Sequence, residues 1–296
     1  MACIVDLGPS AAQVHYRLRP GIVCDRRGSI DGPVCPLPPA PALVAEDGTD
    51  PMALGAQALQ WTGSSLANFG ITPGTPLTAD EHPVAAALMA GRHPHTGRRL
   101  LAGTETKRNR GYEITLAAPA SLSTLYALGT PEVAASIAAL VAQAISQSAG
   151  QLERWLVGRA RRAGLMGWII VHHSTPALLD RLPRPCLHAH LVLAALMAAP
   201  DGEWTDIAGP ARQRLYGYVE AVEADARSRM RRLLSDHHGV GWERDHETGR
   251  WEIVSARAEL YERSPLPRPA CSGAVEDARL ADIAVSLRAQ RGGLAG

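Results

Sequence analysis

Apolar and polar residues alternate along Gly111-Tyr112-Glu113-Ile114-Thr115-Leu116, a period of two that predicts a strand with one face turned to a core. Trp168-Ile169-Ile170-Val171-His172-His173 and Leu187-His188-Ala189-His190-Leu191-Val192-Leu193 are short apolar runs that also read as strands. Elsewhere the spacing is helical. Met52 to Gly70 predicts a helix closed by its final glycine, and Leu77 to Gly91 another, with Thr78 as cap and Asp80-Glu81 in the first turn. Pro119 opens a helix through Leu128, and Pro131 opens a long one ending near Ala163, before Gly164. Arg212 to Leu234 is amphipathic, and Gly241-Trp242-Glu243 with Arg250-Trp251-Glu252-Ile253 predicts a closing hairpin. Residues 1–51 are the least regular part. Ala11 to Leu18 reads as a short helix ended by Pro20-Gly21. The loop from Gly28 to Pro51 carries too many prolines for a helix or a central strand.

Composition narrows the class. At 46% hydrophobic and 20% charged residues, the chain reads as a globular protein of one large or two small domains. Of its 30 basic residues only Lys107 is a lysine, and it sits in Thr106-Lys107-Arg108. A phosphate-binding loop needs Gly-Lys-Ser/Thr, so this sequence holds no motor of that type. A net charge of +1 leaves nucleic acid open as a partner, because binding follows the distribution of charge and not its sum. The five cysteines form no Cys-x-x-Cys pair and no secretory signal precedes them, which points to the cytoplasm. Val133 to Leu152 is rich in Ala, Ser and Gln, so it is expected to be a soluble helix and no membrane insertion is expected.

The candidate chemistry lies in the histidines. His188 and His190 flank one small residue on a predicted strand, so both imidazoles face one side, about 6–7 Å apart along it. Neutral imidazole is the commonest ligand for divalent transition metals. A third ligand can come from His172 or His173, which point to opposite faces, so only one of them joins a given site. Three histidines leave coordination positions open for substrate. A packing or surface role for a His-x-His pair is the alternative.

Several segments around these histidines resemble, in order, motifs of the MobF-type conjugative relaxases of the HUH endonuclease class. Gln60-Trp61-Thr62-Gly63 running to Phe69-Gly70-Ile71 is similar to the family's Trp-x-Gly segment. Gly91-Arg92-His93-Pro94-His95-Thr96-Gly97 resembles its Gly-Arg-x-Pro-x-Thr-Gly turn. Gly111 to Ser123 is similar to Gly-Tyr-Asp-Leu-Thr-Phe-Ser-Ala-Pro-Lys-Ser-Val-Ser, and Pro185-Cys186-Leu187-His188-Ala189-His190 to Pro-Gln-Leu-His-Thr-His. Asp201-Gly202-Glu203-Trp204, Leu215-Tyr216 and Glu252-Ile253 continue the series, and Ala11 to Leu18 looks like the start of one subgroup.

The resemblance implies an α/β (α+β) fold, a central antiparallel sheet with flanking helices. It divides the chain into a 1–51 segment with the nucleophile and the Pro-rich loop, a 52–265 relaxase core and a 266–296 tail. It implies a cytoplasmic DNA strand transferase that nicks and rejoins single-stranded DNA at a transfer origin. A histidine triad holds a divalent metal (Mg²⁺ or Mn²⁺, with Zn²⁺ a further candidate) and an N-terminal tyrosine attacks the phosphate. Carried over, His188 and His190 are ligands. The third maps to His173, because Thr175 then matches a motif threonine, although the spacing to His188 is longer than usual and His172 stays open. The nucleophile maps to Tyr16, with a helix-packing tyrosine as the alternative. Glu113 takes the place of an aspartate that orients the tyrosine and one histidine. Arg92, Arg98, Arg99, Arg108, Arg110 and Arg212 are candidate DNA contacts, since arginine pairs with phosphate and stacks on bases. A separate helicase and a coupling protein are implied partners. Departures from the pattern support a second expectation, a catalytically degenerate DNA-binding protein: Ala120 replaces the motif lysine, Arg184 an aspartate and Cys186 a glutamine. An unrelated histidine-metal hydrolase is a third.

Overall fold

The computed structural model describes residues 2–18, 59–101, 109–157, 164–174, 185–198, 203–246 and 248–255. The elements in chain order are β1 (Cys3–Asp6), α1 (Ala11–Tyr16), β2 (Leu59–Thr62), a 3₁₀ turn (Ser64–Phe69), β3 (Pro76–Leu77), a second 3₁₀ turn (Ala79–Glu81) and α2 (His82–Met89). They continue with β4 (Gly111–Ala117), α3 (Ala120–Leu128), α4 (Pro131–Val157), β5 (Gly167–Ser174), β6 (Pro185–Ala194), β7 (Leu196–Ala198) and β8 (Trp204–Asp206). The last three are α5 (Gly209–His238), β9 (Gly241–Arg244) and β10 (Trp251–Ser255). The Pro-rich loop, the turn at Asp201-Gly202 and the tail 266–296 lie outside the described residues.

The main sheet has the order β1-β4-β6-β5-β2-β3, with antiparallel pairing of β1 with β4, β4 with β6, β5 with β2 and β2 with β3. The expected fold class is therefore observed. Strand alternation divides its side chains. Trp168 and Ile170 share a face with Val192 in one buried cluster that also takes Val14 and Leu18 from the α1 region and Ala85, Leu88 and Met89 from α2. The opposite parity, Ile114, Leu116, Leu191 and Leu193, is buried as well. On that side Tyr216 of α5 meets Tyr112 of β4 edge-on. A sheet covered on both faces explains why β5 and β6 read as continuous apolar runs.

Three parts of the sequence pattern come out differently. The expected helix from Met52 to Gly70 is absent where it is described. Leu59 to Thr62 form strand β2, and Ser64–Phe69 make a 3₁₀ turn. Gly63 separates them with φ 103°, and a Cβ there would overlap the Leu165 carbonyl, so the chain turns at a point only glycine fits. The helix expected from Leu77 starts later, after the Thr78 turn. There Glu81 accepts from the Thr78 backbone N–H at 2.8 Å and from its hydroxyl at 3.1 Å. β1, in the segment expected to be irregular, is a four-residue edge strand on β4. The remaining predicted strands and helices are found within a few residues of their expected limits, and residues 158–163 of the long helix lie outside the described part.

The chain divides into two compact units interleaved in sequence. The larger holds the sheet face with the histidines. Its α4 and α5 portions are joined by Ser148, which donates to Asp225 at 2.7 Å. α4 is also tied down by Glu153, whose carboxylate accepts the backbone N–H of Ser64 at 2.9 Å and of Leu165 at 2.8 Å. The smaller unit is organised by the motif serines. Ser121 donates to Glu252 at 2.5 Å and accepts from the Ile253 N–H at 2.8 Å. Ser123 accepts the Leu187 N–H at 2.9 Å. Among the described residues one helix, Glu132–Val157, is long and apolar enough to cross a membrane by length and composition, and half of its most apolar window is buried inside the protein.

Candidate metal and nucleophile site

Three adjacent central strands bring the site together. β4 pairs with β6 so that Thr115 faces His190 and Ala117 faces His188. Residues directly opposite share a face of the sheet, so Glu113, Thr115, His188 and His190 lie on one side. That side is also the side of Trp168 and Ile170, and the same alternation carries His172 of β5 onto it.

The consequence is a cluster of three imidazoles. Nitrogen atoms of His172, His188 and His190 all lie within 4.8 Å of one another. The ring centroids are 5.3 Å apart for His172–His188, 4.9 Å for His172–His190 and 5.2 Å for His188–His190. His188 and His190 are buried and His172 is half-buried. Among the described side chains the cluster contains His172, where the motif register points one residue further, to His173. Neighbouring strand positions face opposite sides, so one of the two can share the face of His188 and His190. The side chain of His173 lies outside the described ones.

Glu113 supports this cluster from β4. Its Oε1 is 2.6 Å from His190 Nδ1, and Thr115 Oγ1 is 3.3 Å from the same nitrogen. Its Oε2 accepts a hydrogen bond from Arg17 Nε. Burial pushes the Glu113 carboxyl upward. The His190 hydrogen bond and charge, together with the Arg17 guanidinium, outweigh that and hold it at about 2, below the ordinary 4.5. Glu113 is therefore a carboxylate at any physiological pH. Such a carboxylate fixes the tautomer of a histidine, with Nδ1–H donating and Nε2 left as the ligating atom. One nitrogen from each of three such neighbouring rings, two of them buried, fits a divalent transition metal.

Arg17 leads from the cluster to the candidate nucleophile. It is the C-terminal cap of α1, whose last residue is Tyr16. Its Nη1 donates to the Gln13 carbonyl at 3.0 Å and to Gln13 Oε1 at 2.6 Å, one helical turn back. Its own carbonyl accepts from Trp168 Nε1 at 3.1 Å, on the same strand as His172. The guanidinium lies 5.8 Å from the centre of the half-buried Tyr16 ring. Arg17, Gln13, Thr115 and Trp168 escaped the sequence reading. The helical spacing of Gln13 and Arg17 beside Tyr16 is the one signal that was there to be found.

The candidate DNA-contacting arginines differ. Arg98 and Arg99 are exposed on the turn after α2, which Arg92 closes through a bond from its Nη1 to the Gly97 carbonyl at 3.0 Å. Arg110 donates to the Pro9 carbonyl at 2.6 Å. Arg212 is held by Asp6 at 2.8 Å and lies 4.6 Å from the Tyr216 ring centre, where it clasps α5 to β1. Arg108 lies outside the described residues.

No curated protein matches the sequence. Among solved structures, a copper-bound complex of the conjugative relaxase TrwC with oriT DNA is similar over 97% of this chain and 98% of its own, at 15% identity and a TM-score of 0.56. A metal-free complex covers 98% of both chains at 14% identity and a TM-score of 0.54. A metal-bound complex covers 68% of each chain at 19% identity and a TM-score of 0.51. At these identities the likeness is one of fold. The family itself follows from the sequence: a model described as TrwC relaxase matches residues 52–265, most of the chain, and the protein belongs to the TrwC relaxase family.

Proposed function

We propose that this protein nicks and rejoins single-stranded DNA at a transfer origin by transesterification on Tyr16, in conjugative mobilisation. What carries the reading is the juxtaposition of the imidazole cluster with a half-buried carboxylate that also binds the residue next to Tyr16. His172, His188 and His190 would hold a divalent metal ion. When bound there, that ion supplies Lewis-acid stabilisation of the charge that builds on the nonbridging phosphate oxygens. Glu113 and Thr115 orient His190. The Tyr16 oxygen forms a bond to phosphorus while the bond from phosphorus to the 3′ oxygen breaks. The phenol proton is passed on and the departing 3′ oxygen gains one, leaving a 5′-phosphotyrosine and a free 3′-OH. The covalent link keeps the bond energy, so a 3′-OH can reverse the step and reseal the strand.

Arg92, Arg98, Arg99 and Arg110 are assigned to the single strand, and Arg212 to holding α5 on the sheet. A helicase and a coupling protein would act with this site, as the family resemblance implies. Ala120, in the place of the motif lysine, favours a second reading, a DNA-binding protein without the chemistry. Fluorescent oligonucleotides spanning candidate transfer origins, incubated with Mg²⁺ or Mn²⁺, separate the two. The expected outcome is a denaturant-stable protein–DNA adduct that is lost in Tyr16→Phe and on chelation. DNA binding without any adduct supports the second reading.

A further inference from the structure

Glu113 has a second partner besides His190. Its Oε1 is committed to His190 and its Oε2 to Arg17. Arg17 is in turn held through its backbone and through Nη1. Its backbone N–H caps α1 on the Val14 carbonyl at 3.0 Å, its carbonyl is bound by Trp168 at 3.1 Å, and Nη1 forks between two oxygens of Gln13. Both the Arg17 and the Glu113 side chain are 12% exposed, so the bond between them is sheltered from water. A planar guanidinium is suited to this, because its donors are fixed in direction.

We infer that Arg17 is a positioning residue that couples the nucleophile helix to the metal cluster through Glu113. Docking of α1 sets the Glu113 rotamer. That rotamer sets the tautomer and ring orientation of His190. Metal affinity and the placement of Tyr16 therefore become linked quantities. The inference rests on the metal reading given above. It makes a prediction that simple electrostatics does not. Arg17 is a cation close to a cation site, so removing its charge alone should tighten metal binding by Coulomb's law. If Arg17 acts by holding Glu113 in place, its removal weakens binding instead.

The experiment is a titration of the full chain with Mn²⁺, followed by electron paramagnetic resonance, well below the melting temperature of each variant. Arg17→Met is expected to weaken Mn²⁺ binding by about ten- to a hundredfold, the usual effect of losing a support behind a metal-bound histidine. Arg17→Lys keeps the charge but loses the fork, and is expected to be weakened as well. A residue that only stabilised the fold would lower the melting temperature and leave the Mn²⁺ affinity of the folded protein unchanged. Unchanged affinity in both variants, or tighter binding in Arg17→Met, would overturn the coupling while leaving the metal site standing. No Mn²⁺ binding by the unsubstituted protein would overturn the metal reading and the coupling with it.

Discussion

Glu113 stands where two networks cross, since one carboxylate oxygen faces the histidines and the other faces α1. Replacing it with glutamine keeps the shape and removes the charge. Metal affinity is expected to fall about ten- to a hundredfold, with DNA affinity little changed. Calorimetric titration with Mn²⁺ checks this, and wild-type affinity in Glu113→Gln would deny the carboxylate its role. The proposed ligands should behave differently: His172→Ala, His188→Ala and His190→Ala are each expected to abolish the metal-induced rise in melting temperature, because an ion stabilises only the state that binds it. His188 and His190 were legible in the sequence because a strand period of two puts them on one side by local geometry alone. Which of His172 and His173 shares that side was not, since it depends on the parity with which β5 enters the sheet. The Arg17–Glu113 bond spans 96 residues of sequence, and no local pattern announces such a pair.

At the scale of elements, what was legible followed the strength of the period. The alternation in β4, the apolar runs of β5 and β6 and the long amphipathic α5 all found their places. β1 and β2 did not, because each is four residues long and owes its state to partners far away in sequence. In β2, Trp61 pairs with Trp168 across the sheet, and both are 1% exposed. Tertiary pairing there overrides a weak helical pattern. Gly63 ends that strand, so Gly63→Ala is expected to cost more than about 1 kcal/mol in urea unfolding, from the positive φ and the overlap with the Leu165 carbonyl. Ser121→Ala leaves Glu252 and the Ile253 N–H without their shared hydroxyl and is expected to cost about 1–3 kcal/mol. A loss of only a few tenths in either variant would mean that the backbone relaxes around the change. Ser121 thus reads as a builder of the α3–β10 contact, a role its place in a family motif hides.

For the whole molecule, a single lysine among 30 basic residues leaves the electrostatic attraction for DNA almost entirely to arginine. If Arg92, Arg98, Arg99 and Arg110 each meet one phosphate, the logarithm of single-strand affinity should fall with the logarithm of salt at a slope of about −3. Arg98→Glu combined with Arg99→Glu should flatten that slope, and a slope near zero in the unsubstituted protein would remove the arginines from the interface. The architecture places β4, β6 and β5 side by side at the centre of one sheet, so that residues far apart in sequence share a face with the end of α1. Anomalous diffraction from Mn²⁺-soaked crystals tests this most directly. A single strong peak bonded to His172, His188 and His190, with Glu113 on the far side of His190, is the result expected. A peak ligated through His173, or none within reach of His188 and His190, would contradict it.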